Sequence, residues 1–274
     1  MHFVAWLVLG VAVTIWHPVD PNNALVVDTT KGRIVVVLEP RLAPNAVARV
    51  KRLARMHVYD GLLMWRVVDA LGFDFVQTGD PRNHDGDRSA LPDLRAEFAT
   101  RLPAAAIAFV RGGSEPQGFL GDIPVGASAT AGTPMTWGAY CDGVMGMGRE
   151  RGVDTTNAEI FFMRGTTRYF DHDYTVVGRI VFGLSVIRAA AIGVPPKHPD
   201  RMLRVRVLAD IPAYARPGIE ILDSASPRFA HIVTEARRTR GADFSVCDVT
   251  LPVRVTAPPG STAAGSLRRH AARR

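Results

Sequence analysis

Cysteine is nearly absent from this chain of 274 residues: Cys141 and Cys247 are too few for a metal quartet or a disulfide framework. The simpler expectation is two buried unpaired thiols, with a single bridge left open. Lysine is equally scarce, with Lys31, Lys51 and Lys197 the only three among 33 basic side chains. Arg268, Arg269, Arg273 and Arg274 crowd the last seven residues, and setting those four aside leaves +3 of the net charge of +7. A mildly basic body without clustered lysine does not read as a nucleic-acid surface. Standard catalytic signatures are missing too: there is no HExxH, CxxC, GxSxG or GxxxxGK[ST]. Gly146-Met147-Gly148 with Gly152 is the one glycine pattern left, and Val153 to Asn157 after it lacks the helical period that a dinucleotide loop requires.

No apolar run is long enough to cross a bilayer, which takes about 20 residues. Phe3 to Trp16 is uncharged and apolar but short, so residues 1–20 read as a signal-like or anchor segment. His2 is the only basic side chain before it, no A-x-A site precedes Pro18, and a strand or helix packed on the domain is the competing reading. The expectation is export, to a periplasm-like compartment, with anchored or cytoplasmic placement as alternatives.

At 47% apolar, the chain can bury a sizeable core. Two β-branched runs between Leu25 and Leu38 flank Thr30-Lys31-Gly32 and predict a hairpin. Pro44 followed by Val47, Val50 and Leu53 predicts a helix. Short strands are expected at Leu62–Val68, Phe73–Val76, Gly143–Met147, Glu159–Met163, Thr175–Val181 and Met202–Leu208, and a second helix at Leu184–Ile192. So many short strands need their edges paired. The expected fold is therefore mostly β: a closed antiparallel barrel capped by two helices over residues 22–211, with a long Gly- and Pro-rich insertion loop at 82–140 bordering any cleft. A small C-terminal extension, 212–256, should pack on the barrel with a helix at Pro227–Arg238 and a strand at Phe244–Val255. Residues 257–274 read as a disordered basic tail.

Several segments then occur in a telling order. Thr29-Thr30-Lys31-Gly32-Arg33-Ile34-Val35-Val36 is followed by Tyr59-Asp60-Gly61, Met64-Trp65-Arg66-Val67-Val68 and Phe75-Val76-Gln77-Thr78-Gly79-Asp80-Pro81. Ala96-Glu97-Phe98, Gly143-Val144-Met145-Gly146-Met147, Asn157-Ala158-Glu159-Ile160-Phe161-Phe162, Tyr169-Phe170-Asp171 and Tyr174-Thr175-Val176-Val177-Gly178-Arg179 complete the set. From Val26 to about Leu208 this resembles the cyclophilin family of peptidyl-prolyl isomerases.

The resemblance implies an activity that accounts for the missing motifs. Rotation about an X–Pro bond breaks no covalent bond, and its barrier of roughly 20 kcal/mol is lost amide resonance. No cofactor or metal is expected. Twisting localises a lone pair on the proline nitrogen, which a fixed cationic donor can stabilise selectively. By resemblance Arg66 is that catalytic donor and Gln77 orients it while binding substrate backbone. Phe161, Phe170 and either Phe73 or Phe75 would receive the proline ring, with Met147 at a strand end beside them. If Ile160 and Phe162 face the core, Glu159 and Phe161 share the opposite face.

Departures from the family's pattern concentrate at the substrate. Glu159 stands where a glutamine is usual, Tyr169 replaces a pocket tryptophan, Tyr174 a pocket histidine, and Arg149 a backbone-binding asparagine. The spacing from Arg66 to Gln77 is also longer, which predicts a bulge or an enlarged turn. The expected function is isomerisation of X–Pro bonds in exported or folding polypeptides. A catalytically weak cyclophilin-like peptide-binding module is the alternative. Proline-containing polypeptides are the expected partners, with membrane contact only through the N-terminal segment.

Overall fold

The first hairpin forms where the turn chemistry places it. The computed structural model describes residues 15–79 and 89–256, so the segment before Ile15, residues 80–88 and the tail from Ala257 lie outside the described residues. Trp16–Pro18 forms a first strand, β1, and β2 (Ala24–Thr29) then pairs with β3 (Gly32–Leu38) around Thr30-Lys31. Gly32 takes the positive φ of 137° that the tight turn requires. Helix α1 (Pro44–Arg55) starts with proline in its first turn, and Ala43 before it offers no capping side chain. Glu97 replaces the cap from a distance, its carboxylate accepting from the backbone N–H of Asn45 at 3.2 Å and of Ala46 at 2.9 Å. The buried face of α1 carries Ala46, Val47, Val50, Leu53 and Ala54 at helical spacing. Arg49 is buried with them, its guanidinium donating to the carbonyls of Asn157 and Pro92.

Next come β4 (Arg66–Ala70) and β5 (Phe73–Thr78), then five strands inside the insertion, β6 (Ala99–Arg101), β7 (Ala108–Arg111), β8 (Gln117–Leu120), β9 (Ile123–Ala127) and β10 (Met135–Gly138). The main domain resumes with β11 (Val144–Met147), β12 (Ile160–Met163), β13 (Thr175–Phe182), the short α2 (Leu184–Arg188) and β14 (Met202–Val207). β15 (Gly218–Leu222), α3 (Pro227–Arg240) and β16 (Val253–Thr256) form the extension.

Eight strands make one curled antiparallel sheet in the order β14-β2-β3-β13-β11-β12-β5-β4. Beside its edge strands the ends are tied by the Leu63–Arg201 bridge and by backbone bonds from Gly61 N–H to Met202 O at 2.7 Å, Met202 N–H to Leu62 O at 2.9 Å and Met64 N–H to Asp200 O at 2.8 Å. β4 meets the connection before β14 at the Val67–Gly193 bridge. The sheet is thus curled, and it lacks the continuous closing ladder expected of a closed barrel. Inside the curl lies one core, to which α1 contributes its apolar face and α2 contributes Ile187. At roughly 1.5–3 kcal/mol for each fully buried aliphatic side chain, this core is the main stabilising term of the domain.

The insertion corrects the expectation of a loop. Residues 99–138 fold into a five-stranded antiparallel sheet, β6-β10-β9-β8-β7, whose strands are so short, and so interrupted by glycine and proline, that they read as irregular chain. Gly126 shows why glycine is needed: a Cβ there would lie 2.5 Å from the indole of Trp137. This small sheet, the outer face of the curled sheet and the extension share a second core containing Phe119, Phe161, Phe170, Phe229 and Val246.

Two further corrections concern the chain ends and the cysteines. Trp16, read as the end of the apolar segment, belongs to the fold, because β1 pairs with β15 and β15 with β16. Its indole lies under the guanidinium of Arg254 at 3.8 Å, with Arg228 at 5.8 Å. Cys141 and Cys247 are not free thiols but a disulfide, with Cα atoms 5.0 Å apart. Their separation of 106 residues hid the pairing, since only the packing of extension on insertion brings them together. The strand expected over Phe244–Val255 is shorter, because Ser245 caps a single turn at Val246–Asp248 before β16 begins.

A buried carboxyl sits where these parts meet. Asp122 follows the Gly121 turn between β8 and β9, with Arg179 of β13 donating to its backbone carbonyl at 3.3 Å and Glu39 and Arg41 nearby. Burial pushes its carboxyl up to about 7, against the opposing pull of Arg179.

Candidate active site

Arg66 and Gln77 face each other across the β4–β5 hairpin, and the ladder runs without a slip from that pair to Ala70 and Phe73 at its tip. The longer spacing therefore produces neither bulge nor enlarged turn: both strands are lengthened and closed by Leu71-Gly72. Val67 and Val76 point into the core inside the curl, which by alternation turns Arg66, Phe75 and Gln77 outward. There Arg66 Nη1 donates to Gln77 Oε1 at 3.1 Å, and the guanidinium lies 5.1 Å from the centre of the Phe75 ring. The amide and the ring together fix the plane of the fork.

β12 lies beside β5 with Phe161 opposite Gln77. Ile160 and Phe162 enter the inner core, so Phe161 faces outward as alternation predicts. A cavity of about 160 Å3 opens there, lined by Arg66, Phe73, Phe75, Gln77, Gly148, Arg149, Phe161, Phe170 and Tyr174. It is a small apolar cup with a cation at its lip. Phe161, Phe170 and Phe75 meet at edge-on or tilted angles with ring centres 5.6 to 6.0 Å apart. Tyr174 closes the cup against Phe161 and Phe170.

A second cavity of about 190 Å3 shares Arg66, Gln77, Gly148 and Arg149, and continues along Trp65, Glu150, Thr155, Asn157, Ala158 and Glu159. Arg66 and Gln77 thus stand where an apolar cup meets a polar groove. Glu159 lines the polar side, its side chain crossing Gly148 so closely that a Cβ on that glycine would lie 2.3 Å from Oε2. Arg149 separates the two cavities. Its Nε donates to the Asp173 carbonyl at 2.9 Å, and its guanidinium stacks 5.0 Å from Tyr174 and 5.8 Å from Phe98.

Sequence and structure part at three points here. Met147 is not a cleft residue: β11 alternates Met145 and Met147 into the inner core and leaves Gly146 and Gly148 on the cleft side. Tyr169 stands at the rim, 75% exposed, with its ring edge-on to Phe73. The sheet of the insertion stands away from the cleft, since among the described residues none between Ala99 and Gly138 lines either cavity, and the 82–140 segment meets the cleft walls through Phe98, against Arg149, and Tyr140, against Phe161.

Tyr140 went unnoticed because Trp137-Gly138-Ala139-Tyr140 reads as the tail of the insertion, yet its ring stacks on Phe161 at 5.6 Å. Asp171 ties this region together, accepting from the Tyr140 N–H at 2.9 Å and from Arg168 Nε at 2.6 Å. Burial raises the Asp171 carboxyl above its ordinary range while Arg168 opposes that shift. Among the described residues, no group of three or more His, Cys, Asp or Glu side chains is arranged to hold a metal ion.

The arrangement holds the oriented guanidinium groups of Arg66 and Arg149 beside an apolar cup, and comparison with known proteins assigns it. The family profile described as cyclophilin type peptidyl-prolyl cis-trans isomerase/CLD matches residues 24–207. A probable peptidyl-prolyl cis-trans isomerase of Brucella suis is 27% identical over 207 residues, covering 70% of this chain and 85% of that protein. Its counterpart in Brucella abortus is 26% identical over the same length. The crystal structure of cyclophilin AquaCyp293 from Hirschia baltica superposes with a TM-score of 0.80 at 27% identity, covering 89% of this chain and 94% of that one. The chain belongs to the cyclophilin-type peptidyl-prolyl cis-trans isomerases.

Proposed function

We propose that X–Pro bonds of unfolded or folding polypeptides turn in this cleft, with Arg66 as the donor to the proline nitrogen. The proline ring sits among Phe73, Phe75, Phe161, Phe170 and Tyr174, and the flanking chain runs into the groove beside Glu159 and Arg149. As the amide twists, its nitrogen becomes pyramidal and basic, and the Arg66 fork stabilises that state more than the planar one. Gln77 holds the fork in place and offers an amide to the substrate backbone. The apolar cup strips water from the peptide carbonyl, which favours the less polar twisted amide. The observation that carries this reading is the Arg66–Gln77 pair at the junction of an apolar and a polar cavity.

Catalysis on exported polypeptides is part of the proposal. A disulfide between Cys141 and Cys247 fits an oxidising compartment. A second reading, a peptide-binding module with weak catalysis, draws on Arg149, whose guanidinium is already committed to the carbonyls of Asp173, Glu150 and Arg151. Exchange NMR on a proline tetrapeptide with the full chain distinguishes the two. Faster cis–trans exchange supports the enzyme, whereas peptide binding with an unchanged exchange rate supports the module.

A further inference from the structure

Tyr140 lies beneath the cleft rather than in it. The residue is fully buried, and among the described residues its hydroxyl has no hydrogen-bond partner. Its ring stacks on Phe161 with planes 20° apart and meets Phe170 edge-on, with centres 5.7 Å apart. Two rings of the cup, Phe161 and Phe170, therefore rest on one side chain. Gly146 makes the stack possible, because a Cβ there would lie 2.5 Å from Phe161 Cζ and 2.6 Å from Tyr140 Oη.

The backbone of Tyr140 is clamped as firmly as its ring. Its N–H donates to Asp171 Oδ1 at 2.9 Å, and its carbonyl accepts from the Thr167 N–H at 2.8 Å. The next residue is Cys141, bonded to Cys247. Beside Cys247, the Val246 N–H donates to Gln117 Oε1 at 2.9 Å, which anchors the far end of the bridge in the insertion sheet. A continuous chain of contacts thus leads from the extension through the bridge to Tyr140 and the cup.

We propose that Tyr140 is the positioning residue of the proline cup and that the Cys141–Cys247 bridge holds it there, so that the C-terminal extension sets proline affinity from outside the cleft. Phe161 is pinned by Ile160 and Phe162 along its strand, but its ring needs a floor, and Tyr140 is that floor. Arg66 and Gln77 lie on β4 and β5, the hairpin next to β12, and have no ring or hydrogen-bond contact with Tyr140 among those described. Loosening Tyr140 should therefore weaken ring binding in the planar and twisted states alike, which changes affinity and spares the step at the amide.

The inference rests on the cleft being the proline site, and the test separates the two claims. Full-length variants are titrated with an Ala-Ala-Pro-Phe tetrapeptide, and both Kd and the exchange rate at saturation are measured by NMR. Tyr140→Leu is expected to raise Kd about tenfold while the saturated exchange rate stays within about twofold. Tyr140→Phe, which restores the ring without the unpartnered hydroxyl, recovers the affinity. Cys247→Ser raises Kd in the same direction, and adding it to Tyr140→Leu brings less than about a twofold further change, since the two act through one contact. An unchanged Kd in a folded Tyr140→Leu variant, effects of the two substitutions that multiply, or a saturated rate that falls in step with Kd overturns the proposal. Should Tyr140→Leu not fold, Cys247→Ser decides alone, because it leaves the ring in place. A wild-type chain that binds the peptide without speeding its exchange refutes the isomerase reading, while the Kd series still decides the role of Tyr140.

Discussion

Replacing Arg66 by alanine tests the proposed chemistry at its centre. The side chain donates a hydrogen bond to Gln77 and lies against the ring of Phe75. Losing a half-buried charged hydrogen bond and an exposed cation–π contact costs roughly 1–3 kcal/mol of stability. The hairpin should survive, because Val67 and Val76 stay anchored in the inner core. The catalytic loss should be larger in its effect: one preorganised donor aimed at developing charge is worth about 3–4 kcal/mol, which at 1.36 kcal/mol per decade is roughly a hundredfold to a thousandfold in rate. Arg66→Lys should fare little better, since a point charge on a flexible stem cannot hold the Gln77 oxygen, lie flat on Phe75 and reach the proline nitrogen together. The assay is peptide cis–trans exchange, with circular dichroism and thermal melting confirming a folded state. A folded Arg66→Ala protein within about threefold of the wild-type rate would falsify the donor role. Full activity in Arg66→Lys would reduce that role to charge alone.

Glu159→Gln should speed isomerisation of uncharged peptides by less than about tenfold, with the gain shrinking at high salt, because the carboxylate shares the groove with Arg66. If the carboxylate instead recognises a basic residue beside the proline, the same substitution weakens only Arg- or Lys-bearing peptides, and identical kinetics for every peptide place this side chain outside the working cleft. Asp122 predicts a pH dependence: its carboxyl is raised from 3.8 to about 7 in the fold, so the stability it supports is full below pH 3.8 and is lost as pH rises through 7. Between pH 5 and 8 the loss should be about 2.5 kcal/mol, seen as a falling Tm that Asp122→Asn flattens; a slope unchanged in that variant refutes the assignment. Reducing the Cys141–Cys247 bridge, which closes a loop of 106 residues, should lower stability by up to about 4–5 kcal/mol, and an equal Tm with and without a dithiol shows that the bridge carries no such load.

Where the sequence was legible, one residue's neighbours in the chain are also its neighbours in space. The β2–β3 turn, the apolar face of α1 and the outward turn of Phe161 each follow from a local period. Arg66 and Gln77 were readable through the resemblance to the family, and the hairpin that pairs them joins residues close in sequence. The rest depends on contacts between distant segments. The strands of the insertion are three to five residues long, too short to carry a period through their glycines. Met147 was misplaced because its strand is apolar on both faces, so composition gives no hint of which side meets the cleft. The disulfide and the seat of Tyr140 required the packing of three separate parts, and a pattern of residue types does not encode that.

The pairing of β1 with β15 has a consequence for the order in which the molecule is made. Trp16–Pro18 finds its partner only at Gly218–Leu222, and that strand in turn is flanked by Val253–Thr256. Trp16 must therefore wait through the synthesis of about two hundred residues before its indole can be covered, and Arg254, which lies over it at 3.8 Å, arrives later still. Until then the Trp16 indole stays uncovered on the growing chain, an apolar surface open to a chaperone. Maturation is thus written into the topology as a final act, in which the last-made strands gather up the first.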